Sequence, residues 1–319
     1  MSGFLLRRSV ISVVTLALIS AILFSILTLA PGSPFAELAL NPDIPPSVRI
    51  NLEKQLGIND PLPVQYLRWV ENTARGNWGF SYQSRVNVFT LIMQRLPTTL
   101  WVIGLAYIFS VLIAIPIGII GAVRQYSWLD NIFTLFAYVG YCAPTFFTGL
   151  VFILIFSIHL GWFPFIYTTD FQTTGLAYLW DLTKVAIMPI LVLAFFQAAG
   201  LARYTRAAML DVIRQDYVRT AQSKGLTEMT VVLRHAFRNA LIPVVTIMAL
   251  DIPGIILGAI ITEQIFRVPG MGALLINSIE AKDTPVVMAI TFTYAILVVV
   301  FNLLADLMYG VLDPRIKYA

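Results

Sequence analysis

The chain has 319 residues, 58% of them hydrophobic and only 12% charged, with a mean hydropathy of +0.81. That composition excludes an ordinary soluble domain and puts the chain in lipid. The net charge of +4 and pI near 9.2 do not indicate nucleic acid, since no basic stripe with interleaved aromatics occurs and membrane chains concentrate Lys and Arg in cytoplasmic loops.

A helix needs about 20 apolar residues to cross a bilayer, and six runs reach that length. The first, Ser9 to Ala30, follows Arg7 and Arg8 and is longer than the apolar core of a signal peptide, so it predicts a retained anchor over residues 1–30. Residues 31–96 carry Pro, Gly, Trp and mixed charge, with a turn-rich break at Asn41 to Pro46. Leu52, Leu56, Tyr66, Leu67 and Val70 recur at helical spacing there, which predicts a small helical cap over the bundle.

Residues 97–319 hold the other five runs: Pro97 to Val123, Ile132 to His159, Val185 to Leu201, Pro243 to Ile265 and Val286 to Leu312. Pro116, Pro144, Pro189 and Pro253 fall inside them, which membrane helices tolerate where neighbours satisfy the freed backbone groups. The expected fold is therefore an all-α membrane protein of six transmembrane helices.

Orientation follows from the basic residues. With the N-terminus inside, 12 Lys and Arg face the cytoplasm, while the short outer loops hold only Lys184, Arg267 and Lys282. The long segment 31–96 is exempt from that rule and stands outside. Both termini and residues 202–242 are then cytoplasmic.

Residues 202–242 form a cationic loop with one apolar stripe of Leu210, Ile213, Tyr217 and Ala221 and a second of Met229, Leu233, Phe237 and Ala240. Gly225 separates them, so the loop reads as helix, break, helix. Pattern alone leaves two uses open, lying on the lipid surface or docking onto a cytoplasmic protein.

The run Tyr217 to Gly225, with Leu241, Ile242 and Pro243 beyond it, resembles the EAA loop of ABC importer permeases, in the form found in the dipeptide/oligopeptide/nickel branch. Arg219 and Thr220 stand where the general pattern has Glu and Ala, and the interval from Gly225 to Pro243 is longer, both as in that branch. Further landmarks of the branch follow in order: Leu29 to Pro34, Gly76 to Gly79 with Ser81, Arg95 to Pro97 and Leu160 to Pro164. Glu263 to Phe266, Val268 to Gly272, Asp283 with Pro285, and Asn302 to Arg315 complete the set.

The resemblance implies the ABC importer permease fold, with an extracytoplasmic segment after the first helix and a cytoplasmic coupling helix between the fourth and fifth. It implies a subunit of the bacterial inner membrane that translocates short peptides, or a related solute such as a nickel complex or glutathione. Arg219, Thr220, Ala221, Lys224, Gly225, Leu226 and Glu228 would couple it to the ATPase. The implied partners are a second, related permease chain, two cytoplasmic ATPases and an extracytoplasmic solute-binding protein. No cofactor is expected in this chain. None of its five lysines follows a Gly, so a phosphate-cradling G-x-x-x-x-G-K-[ST] loop is missing and ATP with Mg would be bound by the partner ATPase.

A secondary transporter is the alternative, but no convincing repeat relates the two halves. An enzyme is not expected, because neither H-E-x-x-H nor G-x-S-x-G occurs. The lone Cys142 and the distant His159 and His235 offer no disulfide or metal cluster. Asp251, eight residues into the fifth run and just before Pro253 and Gly254, is a candidate for the translocation path, with an inter-helix hydrogen bond as the plainer reading. Asn302 and Asp306, one helical turn apart, are expected to satisfy each other or a basic residue.

Overall fold

A computed structural model describes residues 2–29 and 60–312. The readings at residues 30–34, the break at Asn41 to Pro46, Leu52, Leu56 and the basic residues Arg315 and Lys317 lie outside the described residues.

The described residues form helices joined by loops, with an isolated bridge between Phe80 and Asn87 and no strand. In chain order they form α1 (Ser2–Leu29), α2 (Leu62–Ala74), α3 (Val88–Val123), α4 (Trp128–Cys142) and α5 (Thr145–Phe152), which continues as a π-helical stretch Ile153–His159. Then come α6 (Gly175–Ile213), α7 (Asp216–Ser223), the single turn α8 (Glu228–Thr230), a second π stretch Val231–Phe237 and α9 (Arg238–Leu250). The chain closes with α10 (Ile252–Phe266), α11 (Met271–Glu280) and α12 (Thr284–Leu312).

Among the described residues five helices are long and apolar enough to cross a membrane: Leu6–Leu29, Val88–Val123, Gly175–Ile213, Glu228–Met248 and Thr284–Leu304. Two further pairs qualify only when taken together, and both are sharply bent. Trp128–Cys142 meets Thr145–His159 at 109°, so the run from Ile132 to His159 is broken by a sharp bend. The cause is local. Pro144 disfavours the helical conformation at the residue before it, and Ala143 is extended, at φ −75° and ψ 122°.

The second departure is in the run from Pro243 to Ile265, which divides at Asp251. Its first part joins the helix leaving the basic loop, and its second part leads into a sharp bend. Ala259–Phe266 and Met271–Glu280 meet at 83°, with Arg267 capping α10 in the left-handed region. Apolar periodicity reports that a segment is buried in lipid, but it is blind to a bend between two apolar halves.

Helix α6 is the axis of the bundle. At 1.5 Å per residue its 39 residues extend about 58 Å, far beyond a hydrocarbon core of about 30 Å. Its upper half packs Val185 to Ala194 with Val102 and Ala106 of α3 and Phe266 of α10. Its lower half packs Ala198 to Met209 with Val218, Ala221, Val231, Ala236 and Val244. The crossing with α3 is close because Gly118 faces Thr205. A Cβ on Gly118 would stand 2.5 Å from the Thr205 Cβ, the small-residue approach that membrane helices use where lipid gives no hydrophobic drive to associate.

Helix α1 lies at the edge, with exposed Val10, Val13, Leu18 and Ile22. Two fastenings hold it. Arg8 pairs with Asp306 of α12 at 3.1 Å, so Asp306 is satisfied by a cation from the first helix while Asn302 stays exposed. At the other end Tyr66 of α2 shares a 2.8 Å hydrogen bond with Ser20 and packs edge-on against Phe24. Of the stripe expected in the outer segment, Tyr66 thus meets the bundle, whereas Leu67 and Val70 are exposed.

Candidate functional site

The basic loop is narrower than its sequence suggests. Residues 202–213 belong to α6, and the helical stretch from Glu228 through Phe237 runs directly into α9, which leaves the excursion from Arg214 to Thr227 between them. Its reversal is built on Gly225. The N–H groups of Lys224 and Gly225 donate to the carbonyls of Thr220 (3.2 Å) and Gln222 (2.9 Å). Gly225 itself sits at φ +74°, where a side chain is strained. A Cβ there would meet nothing within 4 Å in this chain, so the glycine serves the backbone turn and not a close internal contact.

The residues around the reversal divide by environment. Val218 and Ala221 are buried and anchor α7 on the lower core with Met209, Val231 and Ala236. Arg219, Thr220, Lys224, Leu226 and Glu228 are exposed. Within the two apolar stripes Ala221 and Ala240 are buried, whereas Tyr217, Met229 and Leu233 are exposed, Met229 at 69%. Val218, Val231 and Ala236 join the buried positions. The phase changes where α6 ends at Ile213 and again in the π stretch Val231–Phe237.

Asp251 stands at the junction of α9 and α10, its N–H donating to Ile247 at 2.9 Å and its carbonyl accepting from Ile255 at 3.2 Å. Its carboxylate takes no hydrogen bond or ion pair among the described residues. The nearby Tyr107 hydroxyl donates to the Met248 carbonyl at 3.0 Å, so the inter-helix bond expected for Asp251 is not formed with it.

Three polar constellations went unassigned in the sequence. In the first, Glu263 is buried inside the bend between α10 and α11. It accepts from the Thr99 hydroxyl (2.6 Å), the Gly272 N–H (2.6 Å) and the Ala273 N–H (3.1 Å). Thr99 in turn accepts from the Met271 N–H at 2.7 Å. A carboxylate at the first turn of a helix supplies the acceptors that its free N–H groups require.

In the second, Asp130 of α4 accepts a bidentate pair of hydrogen bonds from Arg206 of α6, both at 2.7 Å. In the third, Asp283 clasps the loop after α2: the Ser81 hydroxyl donates at 2.5 Å and the Tyr82 N–H at 3.1 Å. The principle that draws attention to Asp251, the cost of an ionisable group in an apolar run, applies equally to Glu263. Asp130 gives no such signal, because its partner lies 76 positions away. Among the described residues no three His, Cys, Asp or Glu side chains gather as metal ligands would.

Known proteins place this architecture. Residues 114–318 match the family model "Binding-protein-dependent transport system inner membrane component", and residues 1–103 match the N-terminal model of the same kind of membrane component. The oligopeptide transport system permease protein AppB of Bacillus subtilis is 42% identical over 320 residues, covering 100% of both chains. The glutathione transport system permease protein GsiC of Escherichia coli K12 is 35% identical over 318 residues, again covering 100% of both.

A crystal structure of an amino acid ABC transporter with histidines superposes at TM-score 0.53 and 15% identity, covering 69% of this chain and 94% of that one. At that identity the likeness concerns the fold alone. The family and the apolar helices make this a multi-pass protein of the bacterial inner membrane. The chain belongs to the inner-membrane components of binding-protein-dependent transport systems, in the dipeptide/oligopeptide branch of the ABC permeases.

Proposed function

We propose that this chain is one permease half of an ATP-driven importer that receives short peptides, or a related small solute such as glutathione or a nickel complex, from an extracytoplasmic binding protein. The names of its full-length relatives support the solute class. The reading includes six membrane crossings, with both termini and the reversal at Gly225 cytoplasmic and residues 31–96 outside. A second, related permease chain completes the path, and two cytoplasmic ATPases bind ATP and Mg.

The observation that carries the mechanism is the exposed reversal mounted on the end of α6. Val218 and Ala221 fix α7 to the lower core, while Arg219, Thr220, Lys224, Leu226 and Glu228 remain free to seat in a partner. A displacement of the seated loop is passed to α6, which packs on α3 along much of its length. Stiff packed helices move as bodies and do not deform continuously. Closure of the ATPases would thus draw the paired loops together, shut the inner gate and open the outer side. Asp251, partly buried at a helix junction and without a partner for its carboxylate among the described residues, is the proposed polar point on the path.

The test is reconstitution with and without partners. Uptake should require the second permease, the ATPases, the loaded binding protein and hydrolysable ATP. Uptake by this chain alone, driven by an ion gradient, would favour a secondary transporter and defeat the reading.

A further inference from the structure

The bend between α10 and α11 holds a cavity of about 330 Å³ whose polar walls are Arg95, Gln264, Arg267 and Asn277, with the buried Glu263 beside them. The oxygens of Glu263 are engaged by Thr99, Gly272 and Ala273 and form no ion pair with either arginine among the described residues, so two guanidiniums face one carboxylate and the recess is cationic. Among the described residues Arg95 reaches only the Pro269 carbonyl, at 3.5 Å. The Arg267 side chain makes no hydrogen bond or ion pair among the described residues.

Arg267 is also held in an uncommon conformation for a long side chain, φ 51° and ψ 38°. The Val268 N–H donating to the Glu263 carbonyl at 2.8 Å closes that turn. Strained residues of this kind collect at ligand sites, where the surrounding fold over-determines them.

Two permanently charged guanidiniums around a recess select an anion, and their planar forks suit a carboxylate above all. Gln264 and Asn277 add amide donors and acceptors of the sort that match a peptide group. The volume stands at the lower end for small-molecule pockets, on the scale of the carboxylate end of a peptide.

We propose that this cavity receives the C-terminal carboxylate of the peptide solute on the extracytoplasmic side, with Arg95 and Arg267 as the binding pair. The assignment rests on the peptide-importer reading and its orientation, which put Arg267 on the outer face.

The experiment compares wild type, Arg95→Gln, Arg267→Gln, the double variant and Arg267→Lys. Each is assembled with its partner chains and binding protein in proteoliposomes. The probes are a tripeptide and its C-terminal amide, chosen so that the binding protein holds both equally well. Wild type should prefer the free acid. Losing one charged hydrogen-bonding partner should cut acid uptake about tenfold at low solute and leave amide uptake unchanged, with Arg267→Lys in between. Retained ATPases and retained hydrolysis stimulated by the loaded binding protein show that each variant is folded and docked.

Equal losses for acid and amide, or no loss at all, overturn the site. Weakened binding-protein affinity with lost stimulation assigns the arginines to an acidic side chain of that protein and overturns it too. A wild-type transporter that carries neither peptide defeats the peptide reading itself, a result distinct from a wild type that transports both without preference.

Discussion

Arg206 holds Asp130 in a two-pronged grip, Nε to Oδ1 and Nη2 to Oδ2 at 2.7 Å each, and so ties the start of α4 to the part of α6 that leads into the Gly225 reversal. Asp130 is also fixed from its own side, accepting from the Tyr126 N–H at 3.0 Å. Its burial makes the pair asymmetric, since the Asp130 side chain is 3% exposed and that of Arg206 29%.

Removing one partner should therefore cost more than removing both. Asp130→Ala strands a guanidinium in a partly buried site and is expected to destabilise the assembly by about 2–3 kcal/mol, below the full figure for a wholly buried pair. Asp130→Ala with Arg206→Met should recover at least about 1 kcal/mol of that loss. Thermal unfolding of the purified assembly measures both, and strictly additive effects would show that the pair does not connect the two helices.

The Glu263 clasp leaves no room at Gly270, where an added Cβ would overlap the carboxylate. Gly270→Ala must then push Glu263 off the Gly272 and Ala273 N–H groups, an expected loss of about 3 kcal/mol or more. Glu263→Gln keeps the shape but gives up an acceptor, at about 1.5–3 kcal/mol. Gly104→Ala is the control, because a Cβ there meets nothing within 4 Å. The yield of monodisperse, assembled permease on size exclusion should rank wild type with Gly104→Ala, then Glu263→Gln, then Gly270→Ala.

Orientation has a direct test. In a Cys142→Ser background, Ser84→Cys should react with an impermeant thiol reagent in intact cells, and Ser223→Cys should react only after the membrane is opened. Both positions are exposed in the fold, so burial does not decide the result. Outer labelling of position 223 would invert the topology.

The sequence carried the apolar runs, the basic loop and its break because each is written in consecutive residues. Gly225 announces itself as a lone glycine between two helical stripes, and it does occupy a left-handed turn. The bend at Ala143 was marked only by Pro144, which membrane helices also tolerate within a span, and the bend at Arg267 lies between segments that are each apolar enough for lipid. The clasps were not legible: Thr99 and Glu263 are 164 positions apart, and Ser81 and Asp283 are 202 apart. Only the packing of α3 against α10 and of the outer loop against the start of α12 brings those groups together. Which members of the apolar stripes are covered was not legible either: Tyr217 and Met229 are exposed while Ala221 and Ala240 are buried, because an exposed apolar face and a buried one have the same period.

At the reversal, shape and backbone make separable demands. Gly225 holds φ +74° with open space around its Cβ position, so within this chain any cost of substitution comes from backbone strain. Ala there should cost about 1 kcal/mol locally, Asn less because it tolerates the left-handed region, and Val more because a β-branched residue tolerates it poorly. The core anchors Val218 and Ala221 lie in the preceding helix, and the spans should be untouched, so all three variants should insert and purify normally. If the reversal also seats in a partner groove, the three substitutions add volume at that contact as well as strain. ATPase retention and binding-protein-stimulated hydrolysis should then fall in the order Gly225→Asn, Gly225→Ala, Gly225→Val if the turn dominates. If the fit to the partner dominates, the smallest addition is favoured and Gly225→Ala becomes the mildest. Uptake measured on the same preparations separates lost docking, in which the ATPases are absent, from uncoupling, in which they remain bound but no longer respond. Wild-type retention, hydrolysis and uptake in Gly225→Val would remove the coupling role from this loop.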